Sequence, residues 1–146
     1  MADVKKLVLI EFTPEQMFNL VDRCEDYQQF LPWCGGAEVH ERTDTVTAAT
    51  LHVNYHGIKT HFSTRNEKIR PIDMKLRLTD GPFTHLDGHW HFTPLGDTAC
   101  KVEFSMHYEF SSKLLEKAVG PVFSHIANTF VDAFVKRAAQ IYPRPG

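Results

Sequence analysis

The sequence predicts an α+β protein in which one curled antiparallel sheet grips a single long helix near the C-terminal end. Three observations carry this expectation. Between Gly35 and Phe110 apolar and polar residues alternate with a period of two, interrupted at intervals by turn-forming residues. From Ser112 onward the apolar period becomes 3.6, the mark of an amphipathic helix. The chain has 146 residues, close to the roughly 150 of one domain, so the two patterns are expected to bury each other.

Val4 to Phe12 reads as a first strand. Thr13-Pro14-Glu15-Gln16 then offers an N-cap hydroxyl, a proline at the first helical position and a glutamine in the capping-box place, so a short helix starts at Pro14 with Met17, Leu20 and Val21 as its buried stripe. Tyr27 to Leu31 reads as a second helical turn that Pro32 stops. Breaks at Asp44-Thr45, His56-Gly57, Arg70-Pro71, Asp80-Gly81-Pro82 and Pro94 to Asp97 divide the middle of the chain into six strands. Cys100, Val102, Phe104, Met106, Tyr108 and Phe110 fall on the inner face of the last strand. Ile72, Met74, Leu76 and Leu78 fall inward on an earlier one, and Leu86, Gly88, Trp90 and Phe92 on the strand between. A two-residue turn at His56-Gly57 sets Leu51 opposite Phe62 inside and His52 opposite His61 outside. The helical stripe runs Val119, Phe123, Ile126, Ala127, Phe130, Phe134, Ala138 and Ile141. Gly120-Pro121 is expected to kink or break this helix, or to leave a short lead-in before a main helix from about Pro121. The chain is read as one domain over 1–146, with its core over about 3–142 and a flexible tail at 143–146.

Composition narrows the partners. Lys and Arg number 16 against 18 Asp and Glu, a net charge of -2 that gives no general attraction for DNA or RNA backbones. The three cysteines, Cys24, Cys34 and Cys100, lack disulfide or zinc-ribbon spacing and read as reduced thiols. Phe accounts for 11 residues, against 4 Tyr and 2 Trp, so the interior is apolar without polar handles. No apolar run approaches the roughly 20 residues of a membrane span, and the expected location is the cytoplasm, with peripheral contact to the inner membrane as the variant.

Five ordered motifs carry a family likeness: Tyr27-Gln28-Gln29-Phe30-Leu31-Pro32-Trp33-Cys34, Asp80-Gly81-Pro82-Phe83, Trp90-His91-Phe92, Tyr108-Glu109-Phe110-Ser111-Ser112, and Ala133-Phe134-Val135-Lys136-Arg137-Ala138. Together they resemble the coenzyme Q-binding, START-like family within the polyketide cyclase/dehydrase-like superfamily, which also includes the bacterial ribosome association toxin. The likeness spans about residues 3 to 142 and departs from the family pattern at Gln28, where proline usually follows the tyrosine. It implies a helix-grip fold with an internal apolar cavity. It also implies binding of ubiquinone or a similar polyprenyl lipid, without cofactor or metal.

Under that reading the strands supply Leu76, Leu78, Trp90, Phe92, Phe104 and Met106 to the cavity wall, and the helix supplies Phe123, Ala127, Phe130 and Phe134. Phe62, Thr60 and Thr64 come from the strand after His56-Gly57, and the two threonines, with Asn66, are the head-group candidates. Phe30, Leu31, Pro32 and Trp33 form either an entrance lip or a plug at one end of the core. Outside, His85, Asp87, His89 and His91 share one strand face. His89 and His91 have chelating spacing, but no further Cys or Glu completes a set by spacing, so a solvated face is the expectation. With His52, His61, His107, Lys59, Arg65, Lys75 and Arg77 this face reads as mildly basic. It is the surface expected to meet an acidic partner, anionic lipid or ribosomal RNA, more tightly at pH 6 than at pH 8. No nucleophile-elbow, zinc-protease or phosphate-loop motif occurs.

Two functions follow as expectations. The first is a non-catalytic carrier that holds ubiquinone inside and supports respiratory electron transport. The second is a toxin that binds the large ribosomal subunit from its outer surface and blocks subunit joining. A cyclase-like enzyme is the remote third.

Overall fold

The computed structural model describes residues 2–143. Chain order is β1 (Ala2–Ile10), α1 (Pro14–Asp22), a 3-10 helix (Cys24–Gln29), β2 (Cys34–Arg42), β3 (Val46–Tyr55), β4 (Ile58–Ile69), β5 (Asp73–Asp80), β6 (Phe83–Leu95), β7 (Ala99–Phe110) and α2 (Lys113–Ile141). All seven strands form one antiparallel sheet in the order β1-β7-β6-β5-β4-β3-β2. Strands β2 to β7 are a meander, and β1 closes onto β7.

The hairpin register is the one the alternation predicts. His56 and Gly57, with φ of 50° and 81°, make the turn, and Leu51 pairs with Phe62 while His52 pairs with His61. The predicted capping box also forms, with Thr13 Oγ1 accepting from the Gln16 amide and Gln16 Oε1 accepting from the Thr13 amide.

Several boundaries differ from expectation for local reasons. Strand β1 ends at Ile10, because Phe12 turns into the core at the corner and packs against Tyr142, ring centroids 6.2 Å apart. The second helical piece is 3-10 and lies earlier, at Cys24–Gln29. Helix α2 neither breaks nor restarts at Gly120-Pro121 but runs unbroken for 29 residues. Lys117 and Pro121 are both on the exposed side, so the carbonyl that loses its donor faces water. Ile141, read as part of the buried stripe, is 43% exposed at the helix end, whereas Val131, outside that stripe, is buried. The proposed tail falls largely on residues 144–146, outside the described residues.

A second force besides apolar burial ties α1 to the sheet. Asp22, at the end of α1, is buried and accepts hydrogen bonds from Thr47 Oγ1 at 2.7 Å, Lys68 Nζ at 3.1 Å and Arg70 Nη1 at 3.2 Å. The Lys68 side chain is only 1% exposed, so Asp22 is the counter-charge that its burial requires. Nearby, Arg42 makes a two-pronged bond to Glu25 at 2.7 and 2.8 Å, and this pairing holds the Glu25 carboxyl below its ordinary value.

Two predictions follow from this corner. Asp22→Ala strands the Lys68 ammonium and should cost about 3–5 kcal/mol of unfolding free energy in urea titrations. Because Glu25 titrates below its unfolded value near 4.5, its contribution is complete above that pH and disappears as pH falls through the lower folded value. The melting temperature should therefore drop on acidification below about pH 4.5, and Glu25→Gln should make that drop shallower.

Candidate functional site

Three regions have the geometry of a site: the interior, a groove beside the loop before β2, and the outer sheet face. The interior lies between the concave side of the sheet and α2. Its walls come from Leu51 on β3, Phe62, Thr64 and Asn66 on β4, Leu76 on β5, Trp90 on β6, Phe104 and Met106 on β7, and Phe123, Ala127 and Phe130 on α2. Val21, Cys24, Tyr27 and Trp33 close the end nearest the short helices.

The free space is about 50 Å³, against the ~300–1,000 Å³ of ordinary small-molecule sites. The internal apolar cavity that the family likeness implies is therefore nearly shut. Aromatic rings fill it: Trp90 packs on Phe104 at 4.6 Å and on Phe134 at 5.4 Å, and Phe130 sits 5.7 Å from Phe104 and 6.1 Å from Trp33. A prenyl chain has no room in this arrangement. Of the predicted wall residues, Phe62, Thr64, Leu76, Trp90, Phe104, Met106, Phe123, Ala127 and Phe130 do face the space. The other four do not. Thr60 and Leu78 are half-buried elsewhere on their strands, Phe92 is sealed between Phe18 and Trp90, and Phe134 lies behind Phe130 against Tyr27 and Phe30.

One polar atom in the wall is unusual. Asn66 is 5% exposed, and its side-chain carbonyl oxygen has no hydrogen-bond partner among the described residues. An orphaned acceptor of this kind costs about 1–3 kcal/mol. The walls otherwise carry neither carboxylate nor imidazole. The thiols are poor nucleophiles: burial pushes Cys24 up to about 12 and Cys100 to about 11, and Cys34 is also raised.

The loop before β2 divides its side chains. Leu31 and Trp33 are 2% and 3% exposed and plug the end of the core, while Phe30 is half-buried and Pro32 exposed. All four residues border a surface groove of about 400 Å³ against the outer side of α2, with Tyr55, His125, Lys136 and Arg137. The Arg137 guanidinium lies 5.3 Å over the Phe30 ring and donates to Gln29 Oε1 at 2.9 Å; His125 stacks on Tyr55 with centroids 5.7 Å apart. The first and last of the five sequence motifs thus meet at this groove.

The outer sheet face is a charge mosaic rather than the mildly basic patch expected. Arg65 pairs with Glu41 at 2.9 Å and Arg77 with Glu67 at 4.0 Å; Lys59 and Lys75 are exposed beside them. The histidines also face carboxylates: His52 meets Glu38, His61 meets Asp80, His85 meets Asp87, and His107 meets Asp3. His89 and His91 converge on Asp73, which sequence spacing alone does not connect to them because it reaches them across strands.

A curled sheet gripping a C-terminal helix around an apolar interior defines the helix-grip class of protein. Residues 10–135 match the family described as polyketide cyclase / dehydrase and lipid transport, and the chain belongs to that family. It is 41% identical over 142 residues to the Ribosome association toxin RatA of Vibrio cholerae, covering 97% of this chain and 99% of that one. It is 30% identical to the mitochondrial Coenzyme Q-binding protein COQ10 homolog B of Xenopus laevis, covering 93% of this chain and 57% of that one. A START superfamily protein from Mycobacterium smegmatis has the same fold, with a TM-score of 0.75 at 20% identity, covering 95% of this chain and 98% of that one. The START-like family expected from the five motifs is therefore the right one. No helix among the described residues is long and apolar enough to cross a membrane.

The thiol environment gives a simple check. Iodoacetamide at pH 8 should leave Cys24 and Cys100 unmodified in the native protein, and both should react once it is unfolded in guanidinium, as read by intact-mass spectrometry.

Proposed function

We propose that this chain is a non-catalytic ribosome-association protein that folds and acts as one domain, binds the large ribosomal subunit through its outer surface, and so hinders subunit joining. The single observation that carries this reading is the filled interior. With about 50 Å³ of free space, the part of the molecule able to engage a partner is its outside. The 41% identity to a ribosome association toxin over nearly the whole of both chains supports the same choice.

The groove beside Pro32 is the contact surface we favour. Ribosomal RNA offers phosphates and exposed bases, and the groove sets Lys136 and Arg137 beside the rings of Phe30, Tyr55 and His125. One carboxylate, Asp132, borders it as well. On the sheet face, by contrast, Arg65 and Arg77 already face Glu41 and Glu67.

The test is sedimentation of the purified protein with dissociated subunits through a sucrose gradient. Cosedimentation with the large subunit and loss of the joined particle are expected; a protein that stays at the top of the gradient refutes the proposal. Lys136→Glu should weaken this binding about tenfold or more, whereas reversal of both Lys75 and Arg77 to Glu should change it less.

A second reading rests on Asn66. Its unpartnered oxygen faces an apolar space in a family with a coenzyme Q-binding relative, an arrangement suited to the hydroxyl of a reduced quinone if the rings of Phe130 and Phe104 move apart. Organic extracts of natively purified protein should contain no stoichiometric quinone if the ribosomal reading is right. A one-to-one quinone peak in the mass spectrum would favour the second.

A further inference from the structure

The three side chains on the outer face that converge most closely lie far from the groove and play no part in the function above. Strand alternation puts His89 and His91 on the same side of β6, two residues apart, and their neighbour Trp90 on the other. The β5–β6 register places Asp73 directly opposite His91 and one step diagonal to His89. The result is three donors at one point: Asp73 Oδ1 lies 2.6 Å from His89 Nε2 and 2.8 Å from His91 Nδ1, and the ligand atoms of all three lie within 4.8 Å of one another.

We infer that Asp73, His89 and His91 form a binding site for a late first-row divalent cation, of which zinc is the type. Two imidazoles and one carboxylate are a donor set that such ions accept, with the fourth position left to water. The geometry requires little change. Tetrahedral zinc with bonds near 2.0–2.1 Å holds its ligand atoms about 3.3 Å apart, so the carboxylate must retreat by about 0.7 Å from His89 and about 0.5 Å from His91. The two rings are 42% and 40% exposed and free to turn, while Asp73, at 15%, is the more fixed member. Each imidazole would bind the ion through the lone pair of the ring nitrogen that faces Asp73, with a proton on the other ring nitrogen.

The surroundings carry both signs of charge. Glu103 stands directly opposite His91 on β7 and pairs with Lys101 at 3.5 Å, and Lys5 and Lys6 border the same depression as the two imidazoles. Lys75, opposite His89 on β5, is exposed, so its ammonium can stay in water. The scaffold is rigid, because Trp90 and Met74, which face the core between and beside the ligands, are each 1% exposed.

The experiment is calorimetric titration of the untagged full chain with zinc chloride in a non-chelating buffer, with cobalt absorbance as a second readout. One ion per chain is expected, with the intense visible bands of four-coordinate cobalt, displaced by zinc. Asp73→Asn and His91→Gln should each weaken zinc at least about tenfold, with circular dichroism unchanged, and His61→Gln, outside the cluster, should leave affinity as it was. A chain that shows no saturable site overturns the inference. So does a tightest site that survives both cluster substitutions, because the ion would then be held by other histidines.

Discussion

The structure depends on one constraint: a seven-stranded sheet has a continuous dry face, and among the described residues α2 is the one helix long enough to cover it. Burying that face exchanges water for ring contacts. Trp90, Phe104, Phe130 and Phe134 form a connected set of edge-on and tilted pairs, with Tyr27 and Trp33 extending it to the short helices. Small side chains at these positions would leave a void, which carries its own cost per unit volume. This protein fills the space instead. The same choice that stabilises the grip leaves little interior volume for cargo.

Within this packed interior, polar groups follow two different rules. Asp22 and Lys68 are buried together with Thr47 and Arg70, and each charge has its partners. Such a group adds little beyond what apolar residues would give, but it is costly to break, so it acts as a latch between α1 and β4. Asn66 on the same strand has an acceptor with no donor. The contrast identifies Asn66 as the polar position in the wall whose bonding is incomplete, which is why the quinone reading keeps a specific foothold.

Much of the fold was legible because it is set by local chemistry. The turn at His56-Gly57 needs two left-handed residues, and once it is placed, parity alone puts Leu51 against Phe62 and His52 against His61. What was not legible depends on distance or volume. Asp22 and Lys68 are 46 residues apart, and no period links them. Helix α2 passes through Pro121 because of which side faces water, a fact that exists only after docking. Most of the predicted wall residues face the interior, yet its free space could not be read from their names, since it depends on how far each ring reaches. Leu31 and Trp33 turned inward while Phe30 and Pro32 did not, a division that falls after the 3-10 helix ends at Gln29, where no helical period sets the side chains.

The outer face obeys the same parity as the core, and this links the two. Trp90 is fixed by packing on four other rings, so the backbone of β6 has one allowed register, and His89 and His91 are held outward by it. A slip of one residue against β5 would expose Trp90 and bury two imidazoles, at a cost of several kcal/mol from lost apolar burial alone. Asp73 gains its place in the same way, from Met74 beside it in the core. The convergence of one carboxylate and two imidazoles at the surface is thus enforced from beneath, by residues that never touch it. Side chains on a mobile loop would have to be ordered by whatever they bind. Here the ordering is already supplied by the sheet, so an ion or a partner arriving at this face meets groups whose spacing was set when the core formed.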